Sequence, residues 1–155
     1  MSQVTLPVRR FVFLLLLLVA GPLLAQQILT ATWKTDADQA WQSAQREQRP
    51  MLLFITSHNC LYCRKMEYET FSNRTVAAAI QASYVPVSVL AENNPALVNK
   101  FRVRSFPTTV IISPKNGVVD YMVGYVGPDD FQRRLDTATR QSNVPTTAMR
   151  RRAAR

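Results

Sequence analysis

Cysteine and histidine are scarce in this sequence: two cysteines and one histidine among 155 residues. A closed structural zinc site wants four nitrogen or sulfur ligands, so this inventory argues against one. No cysteine stands directly after the apolar N-terminal run, which leaves no acylation site of lipoprotein type. No internal repeat is visible. Residues 140–155 hold five arginines and no acid, with no aromatic residue between the arginines. A basic end of that composition reads as a solvated, disordered tail rather than a nucleic-acid grip.

The remaining charge is close to balanced. Residues 26–139 contain twelve Lys or Arg and all ten Asp or Glu, so most of the formal net charge of +9 belongs to the two ends. At the N-terminus, Arg9 and Arg10 precede the apolar run Phe11 to Ala20, and Leu23-Leu24-Ala25 supplies a small residue before a cleavage point. That layout predicts a signal peptide over 1–25. The run is short for a membrane span, which needs about 20 apolar residues. An uncleaved anchor is the alternative. The expected organisation is a signal peptide over 1–25, one domain over 26–139 and a basic disordered tail over 140–155. Export, with a bacterial periplasm as the expected compartment, would place the thiols where a disulfide persists.

The two cysteines are Cys60 and Cys63, two residues apart. Before them, Met51 to Thr56 is apolar on both faces and reads as a central strand. After them, Arg64 to Phe71 reads as a helix. A Cys-x-x-Cys pair at a strand-to-helix junction is the signature of a thiol–disulfide redox site. Further signals place the remaining elements. Ile28 to Trp33 predicts a short first strand or extended lead-in, and Thr35 to Gln48 a helix capped by Thr35. Val76 to Gln81 continues the helical region after Ser72-Asn73. Tyr84 to Val89 predicts a second strand in which Pro86 must sit at the start or face an unpaired edge. Pro95 to Phe101 predicts a short helix. Thr109 to Ser113 and Val118 to Val123 form a hairpin around Pro114-Lys115-Asn116-Gly117. Gly127-Pro128-Asp129-Asp130 opens a last helix that buries Phe131 and Leu135. Trp41, Phe54, Phe71 and Phe101 read as core. Alternating strands and helices followed by a hairpin and a closing helix predict an α/β fold, a central mixed sheet flanked by helices.

From about Trp41 to Leu135 the chain resembles the thioredoxin-fold superfamily. The resemblance rests on Cys60-Leu61-Tyr62-Cys63 at a helix start, Phe106-Pro107-Thr108 before the hairpin, and Gly124 after it. The stretch from Cys60 to Phe71 is similar to the C-terminal domain of DsbD-type electron carriers. The step from Cys63 to Pro107 leaves no room for the helical insert of DsbA-type oxidases. The resemblance implies a cis bond before Pro107, with Pro107 facing the disulfide. It also implies a role near the site for Glu67. Two departures stand out. Asn59 replaces the tryptophan that ordinarily precedes the first cysteine, and Phe54 stands where many thioredoxins bury an acid.

These residues predict an enzyme that exchanges disulfides in partner proteins. Cys60, at the helix start, is the expected nucleophile, because unpaired N–H groups and the helix dipole favour a thiolate. Cys63 is the expected resolving thiol. Glu67 is the proton-relay candidate. Tyr62, Phe106 and Pro107 are candidates for substrate docking, and His58 for tuning Cys60. No cofactor or bound metal is expected beyond the redox-active disulfide Cys60–Cys63. The expected partners are disulfide-containing proteins and a redox partner protein, not nucleic acid. Membrane contact is expected only through an uncleaved signal or the basic tail, and the protein is expected to be a monomer. The rival readings are a copper metallochaperone using His58, Cys60, Cys63 and Met66, and a non-catalytic interaction module on the same fold.

Overall fold

A computed structural model describes residues 32–143. The signal segment, the arginines from 150 onward and most of the expected first strand lie outside the described residues. Lys34 makes an isolated parallel bridge to Val87.

The element order is α1 (Ala37–Glu47), β1 (Met51–Thr56), α2 (Leu61–Lys65) running into a π-helical turn (Met66–Phe71), α3 (Arg74–Ser83), β2 (Val85–Leu90), a 3-10 turn (Ala91–Asn93), α4 (Pro95–Lys100), β3 (Thr108–Ser113), β4 (Gly117–Val123) and α5 (Pro128–Asn143). The strands form a four-stranded sheet in the order β2-β1-β3-β4. β1 runs parallel to β2 and antiparallel to β3, and β4 returns antiparallel with a register shift at Ile111/Ile112. The α/β fold with a mixed sheet and flanking helices is the one the sequence predicts.

β1 is apolar throughout because both its faces are covered. Leu52 and Phe54 join one core with residues of α2, α3 and α5, including Met66, Val76, Ile80, Phe131 and Leu135. Met51, Leu53 and Ile55 join the opposite core, with Ala40 and Ala44 of α1 and the packed side chains of Leu97 and Val98 from α4. Period-two alternation therefore divides one strand between two layers. Burying each of these large side chains contributes on the order of 1.5–3 kcal/mol.

Several boundaries differ from expectation. The cap of α1 is Asp36 rather than Thr35: the Asp36 carboxylate accepts the Gln39 N–H at 2.9 Å, reaching the third helical amide as N-caps do. Pro86 lies second in β2 and is buried. Its carbonyl accepts the Lys34 N–H at 3.0 Å, so its donor-free nitrogen also faces the Lys34 side of the strand, away from β1. The last helix continues four residues past the boundary expected at 139. Ala138 and Ser142 are both buried on its inner face, Ser142 Oγ donates to the Ala138 carbonyl at 2.8 Å, and Asn116 Nδ2 donates to the Gln141 carbonyl at 2.8 Å. These contacts hold residues 140–143 in the helix rather than in a disordered tail.

Candidate active site

The site is built where β1 ends. After Thr56 the chain crosses loop 57–59 and enters α2 at Cys60, whose extended backbone (φ −92°, ψ 101°) makes it the N-cap. Cys60 Sγ accepts the Cys63 N–H at 3.0 Å. A sulfur thus takes the place that an oxygen fills at most helix starts, against unpaired N–H groups. Cys60 and Cys63 form a disulfide, with Cα atoms 5.2 Å apart. The two residues differ modestly in exposure. Cys63 is 1% exposed and Cys60 9%, and both pack into the core that contains Phe54 and Met66.

The helix bearing the cysteines does not stay regular. It becomes a π turn over Met66–Phe71, and Ser72 Oγ donates to the Glu67 carbonyl at 2.9 Å. Such turns hold one extra residue and persist where tertiary contacts fix it. Here the fully buried Thr70 donates its hydroxyl to the Val126 carbonyl at 2.7 Å, and Tyr125 donates its phenol to Glu69 at 2.6 Å. Lys65 Nζ sits 4.6 Å from the centre of the Tyr125 ring. The active-site helix is thereby tied to the segment between β4 and α5. Beneath it, Phe71 packs on Trp33, Phe54 and Phe131 at centroid distances of 4.6, 4.9 and 5.4 Å.

The other expected site residues are distributed as follows. The Phe106–Pro107 peptide is cis. Pro107 is buried, its carbonyl accepts the Gly124 N–H at 2.7 Å, and Phe106 is half-buried between both cores. Gly124 has φ +81° with nothing within 4 Å of where a Cβ would stand, so backbone conformation rather than space favours glycine there. Leu61 and Tyr62 are 67% and 58% exposed, the two residues between the sulfurs forming an apolar surface. Glu67 is exposed at its residue level, yet partial burial of its carboxyl raises its pKa above the ordinary carboxylate value, opposed by the nearby Arg64.

Phe54 is fully buried and has no titratable group. Across the sheet it stands level with Ser88 on β2 and Thr109 on β3. The Thr109 hydroxyl is buried without a hydrogen-bond partner. Met66 is fully buried while His58 is exposed, and among the described residues no group of three or more His, Cys, Asp or Glu is arranged to hold a metal ion. A groove of about 850 Å³ between β4 and α5 includes none of the candidate residues. Its Arg134 is paired with Asp120.

One residue carries no signal in the sequence. Glu92, on the 3-10 turn after β2, accepts the main-chain N–H of His58 at 3.1 Å across 34 positions. The Glu92 carboxyl is held below its usual pKa range by its own backbone N–H, then by the His58 N–H. The parallel pairing of β1 with β2, which ends at Thr56 and Leu90, sets the two loops side by side.

A disulfide spanning one helical turn at the N-terminus of a helix that leaves a central strand, on this sheet order, defines a thioredoxin-type thiol–disulfide oxidoreductase. The family model described as a thioredoxin-like domain matches residues 37–139, and the chain belongs to that family. Among solved structures, it is similar to a thioredoxin from Thermus thermophilus, at 24% identity and TM-score 0.68 over 74% of this chain and 91% of that one. It is also similar to a DsbH oxidoreductase, at 19% identity and TM-score 0.63 over 79% and 96%. The oxidised C-terminal domain of DsbD from Neisseria meningitidis matches at 14% identity and TM-score 0.58 over 69% and 99%. Likenesses at these identities establish the shared fold. No curated protein matches the sequence.

Proposed function

We propose that the protein is exported and uses Cys60 and Cys63 to reduce or rearrange disulfides in partner proteins. The observation that carries this reading is the asymmetric placement of the pair: Cys60 caps the helix with its sulfur on a backbone N–H, while Cys63 is 1% exposed one turn inward. In the reduced protein, the Cys60 thiolate attacks one sulfur of a substrate disulfide and expels the other as a thiolate, which takes up a proton. Cys63 then loses its proton and attacks Cys60 Sγ. That attack expels the second substrate sulfur as a thiolate, which takes up the other proton. Of the two protons gained, one is released by Cys63 and one comes from solvent. The substrate leaves as a dithiol, the enzyme ends as the disulfide, and two electrons have passed to the substrate.

Glu67 is the proton-relay group in this reading. Its raised pKa suits a carboxyl that accepts and returns a proton, and Phe54 leaves the usual buried acid position unfilled. Tyr62, Phe106 and Pro107 form the docking surface, where a substrate segment pairs in extended conformation. His58 lies on the loop leading to Cys60 and tunes its charge environment. The lean toward reduction or isomerisation rests on Leu61-Tyr62, a pair without the histidine that stabilises the thiolate of strong oxidants. Export is supported by the Arg9-Arg10 and Phe11 to Ala20 layout. Among the described residues no helix is long and apolar enough to cross a membrane.

Two assays test the reading. Insulin disulfide reduction and the pH profile of iodoacetamide alkylation are measured on wild type and Cys60→Ser. We expect turnover in the wild type, alkylation of Cys60 with an apparent pKa below about 8.5, and loss of both in the variant. An inactive wild type, or full activity without Cys60, contradicts it. Normal function in vivo after Cys60→Ser would favour an interaction module. Tight copper binding that requires both cysteines would favour a metallochaperone.

A further inference from the structure

We propose that Glu92 is a positioning residue for Cys60, holding loop 57–59 through a hydrogen bond to its main chain. β1 and β2 end side by side at Thr56 and Leu90, and the chain then diverges into the loop on one strand and the 3-10 turn on the other. Loop 57–59 has little packing of its own: His58 and Asn59 are exposed, and Ser57 is half-buried. Among the described residues, the bond from His58 N to Glu92 Oε1, at 3.1 Å, is the hydrogen bond that ties this loop to another element.

The geometry gives the bond a consequence for the sulfur. Cys60 must keep an extended backbone to cap α2 and present Sγ to the Cys63 N–H. The direction of entry into that cap is set by the residues immediately before it. Loops without packed side chains sample many conformations, and one charge-assisted bond to the main chain removes much of that freedom. Because the donor is a backbone N–H, the restraint does not depend on the histidine side chain. The Glu92 carboxyl is held below its usual pKa range first by its own backbone N–H, and this contact adds to that effect. Glu92 touches no reacting atom. Its contribution is to the conformation from which Cys60 attacks.

This inference rests on Cys60 being the reactive thiol, and the test separates the two claims. Glu92→Ala removes the acceptor, whereas Glu92→Gln keeps an acceptor oxygen and removes the charge. Two quantities are measured on the full chain: the pH-independent rate constant for Cys60 alkylation by iodoacetamide, and hydrogen exchange of the His58 amide. We expect Glu92→Ala to slow alkylation about tenfold, the scale of one bond to a charged group, and to lose His58 protection. Glu92→Gln should stay within about threefold of wild type and keep the protection. A wild-type rate in Glu92→Ala overturns the proposal, as does an equal change in both variants, which would make the effect one of charge. If wild-type Cys60 shows an ordinary thiol profile while Glu92→Ala still slows it and exposes the amide, the positioning role stands and the nucleophile assignment falls.

Discussion

Reduction of the Cys60–Cys63 disulfide should cost the fold little. The bond closes a loop with a sequence separation of 3. In the chain-entropy model a loop that short contributes about 2 kcal/mol, against about 4.7 kcal/mol for a 100-residue loop. The native contacts of the two residues do not require the bond. Cys63 and Cys60 are packed among Phe54 and Met66, and the Cys63 N–H still has a sulfur to meet after reduction. The perturbation is an excess of dithiothreitol, and the assay is urea unfolding of the oxidised and reduced protein followed by tryptophan fluorescence. We expect two-state transitions with similar m-values, because the same surface is exposed on unfolding. The midpoint should fall by the equivalent of about 2 kcal/mol, and a Cys60→Ser/Cys63→Ser variant should match the reduced protein. A loss above about 4 kcal/mol, or unfolding on reduction, would refute the reasoning. The disulfide would then be a structural brace rather than an interchangeable redox couple.

Phe54→Ala should destabilise the fold by about 3–5 kcal/mol, because Phe54 is fully buried and packs its ring on Phe71 at 4.9 Å and Trp33 at 6.2 Å; a urea midpoint loss below about 1 kcal/mol would contradict that packing. Tyr84 donates its buried hydroxyl to the Leu135 carbonyl and meets Thr139 Oγ1 at 2.8 Å, and burial, its strongest influence, pushes its pKa up to about 12. The neutral phenol is the form the fold prefers, so stability present below pH 10 should decline as pH rises from the unfolded value of 10 toward 12. Tyr84→Phe should cost about 1–2 kcal/mol at neutral pH and flatten that alkaline decline, which pH-dependent thermal melts would detect. Glu67 has a raised pKa, so its folded form binds protons more readily than the unfolded chain. Its unfavourable ionisation is absent at low pH and appears as pH rises from 4.5 through the folded value. Glu67→Gln should therefore leave neutral-pH stability equal or higher, while slowing insulin reduction; a variant that keeps full activity would remove Glu67 from the relay.

Much of this arrangement is legible in the sequence because it rests on local rules. An apolar strand buried on both faces announces β1, and the spacing of Cys60 and Cys63 at its far end announces the site. Pro107 and Gly124 are visible through the resemblance to the thioredoxin-fold superfamily, whose landmarks they match. Less legible are features decided by distant partners. The π turn over Met66–Phe71 has no composition of its own and depends on Thr70 and Glu69 meeting Val126 and Tyr125. Glu92 looks like any exposed acid until β-pairing carries it to His58. The shift of the α1 cap from Thr35 to Asp36 follows from two neighbouring residues that can both cap, of which Asp is the stronger. The end of α5 depends on Asn116, whose side chain reaches it across 25 positions.

The central claim is that Cys60 attacks and Cys63 resolves. Its most direct test is the site of glutathione attachment in the single-cysteine variants. Reduced Cys63→Ser is incubated with oxidised glutathione at pH 7, and the adduct is located by peptide mass mapping. The account predicts rapid formation of a stable mixed disulfide on Cys60, and at least tenfold slower reaction of Cys63 in Cys60→Ser, given that Cys63 as a residue is 1% exposed. Equal rates in the two variants, or faster reaction at Cys63, would contradict it.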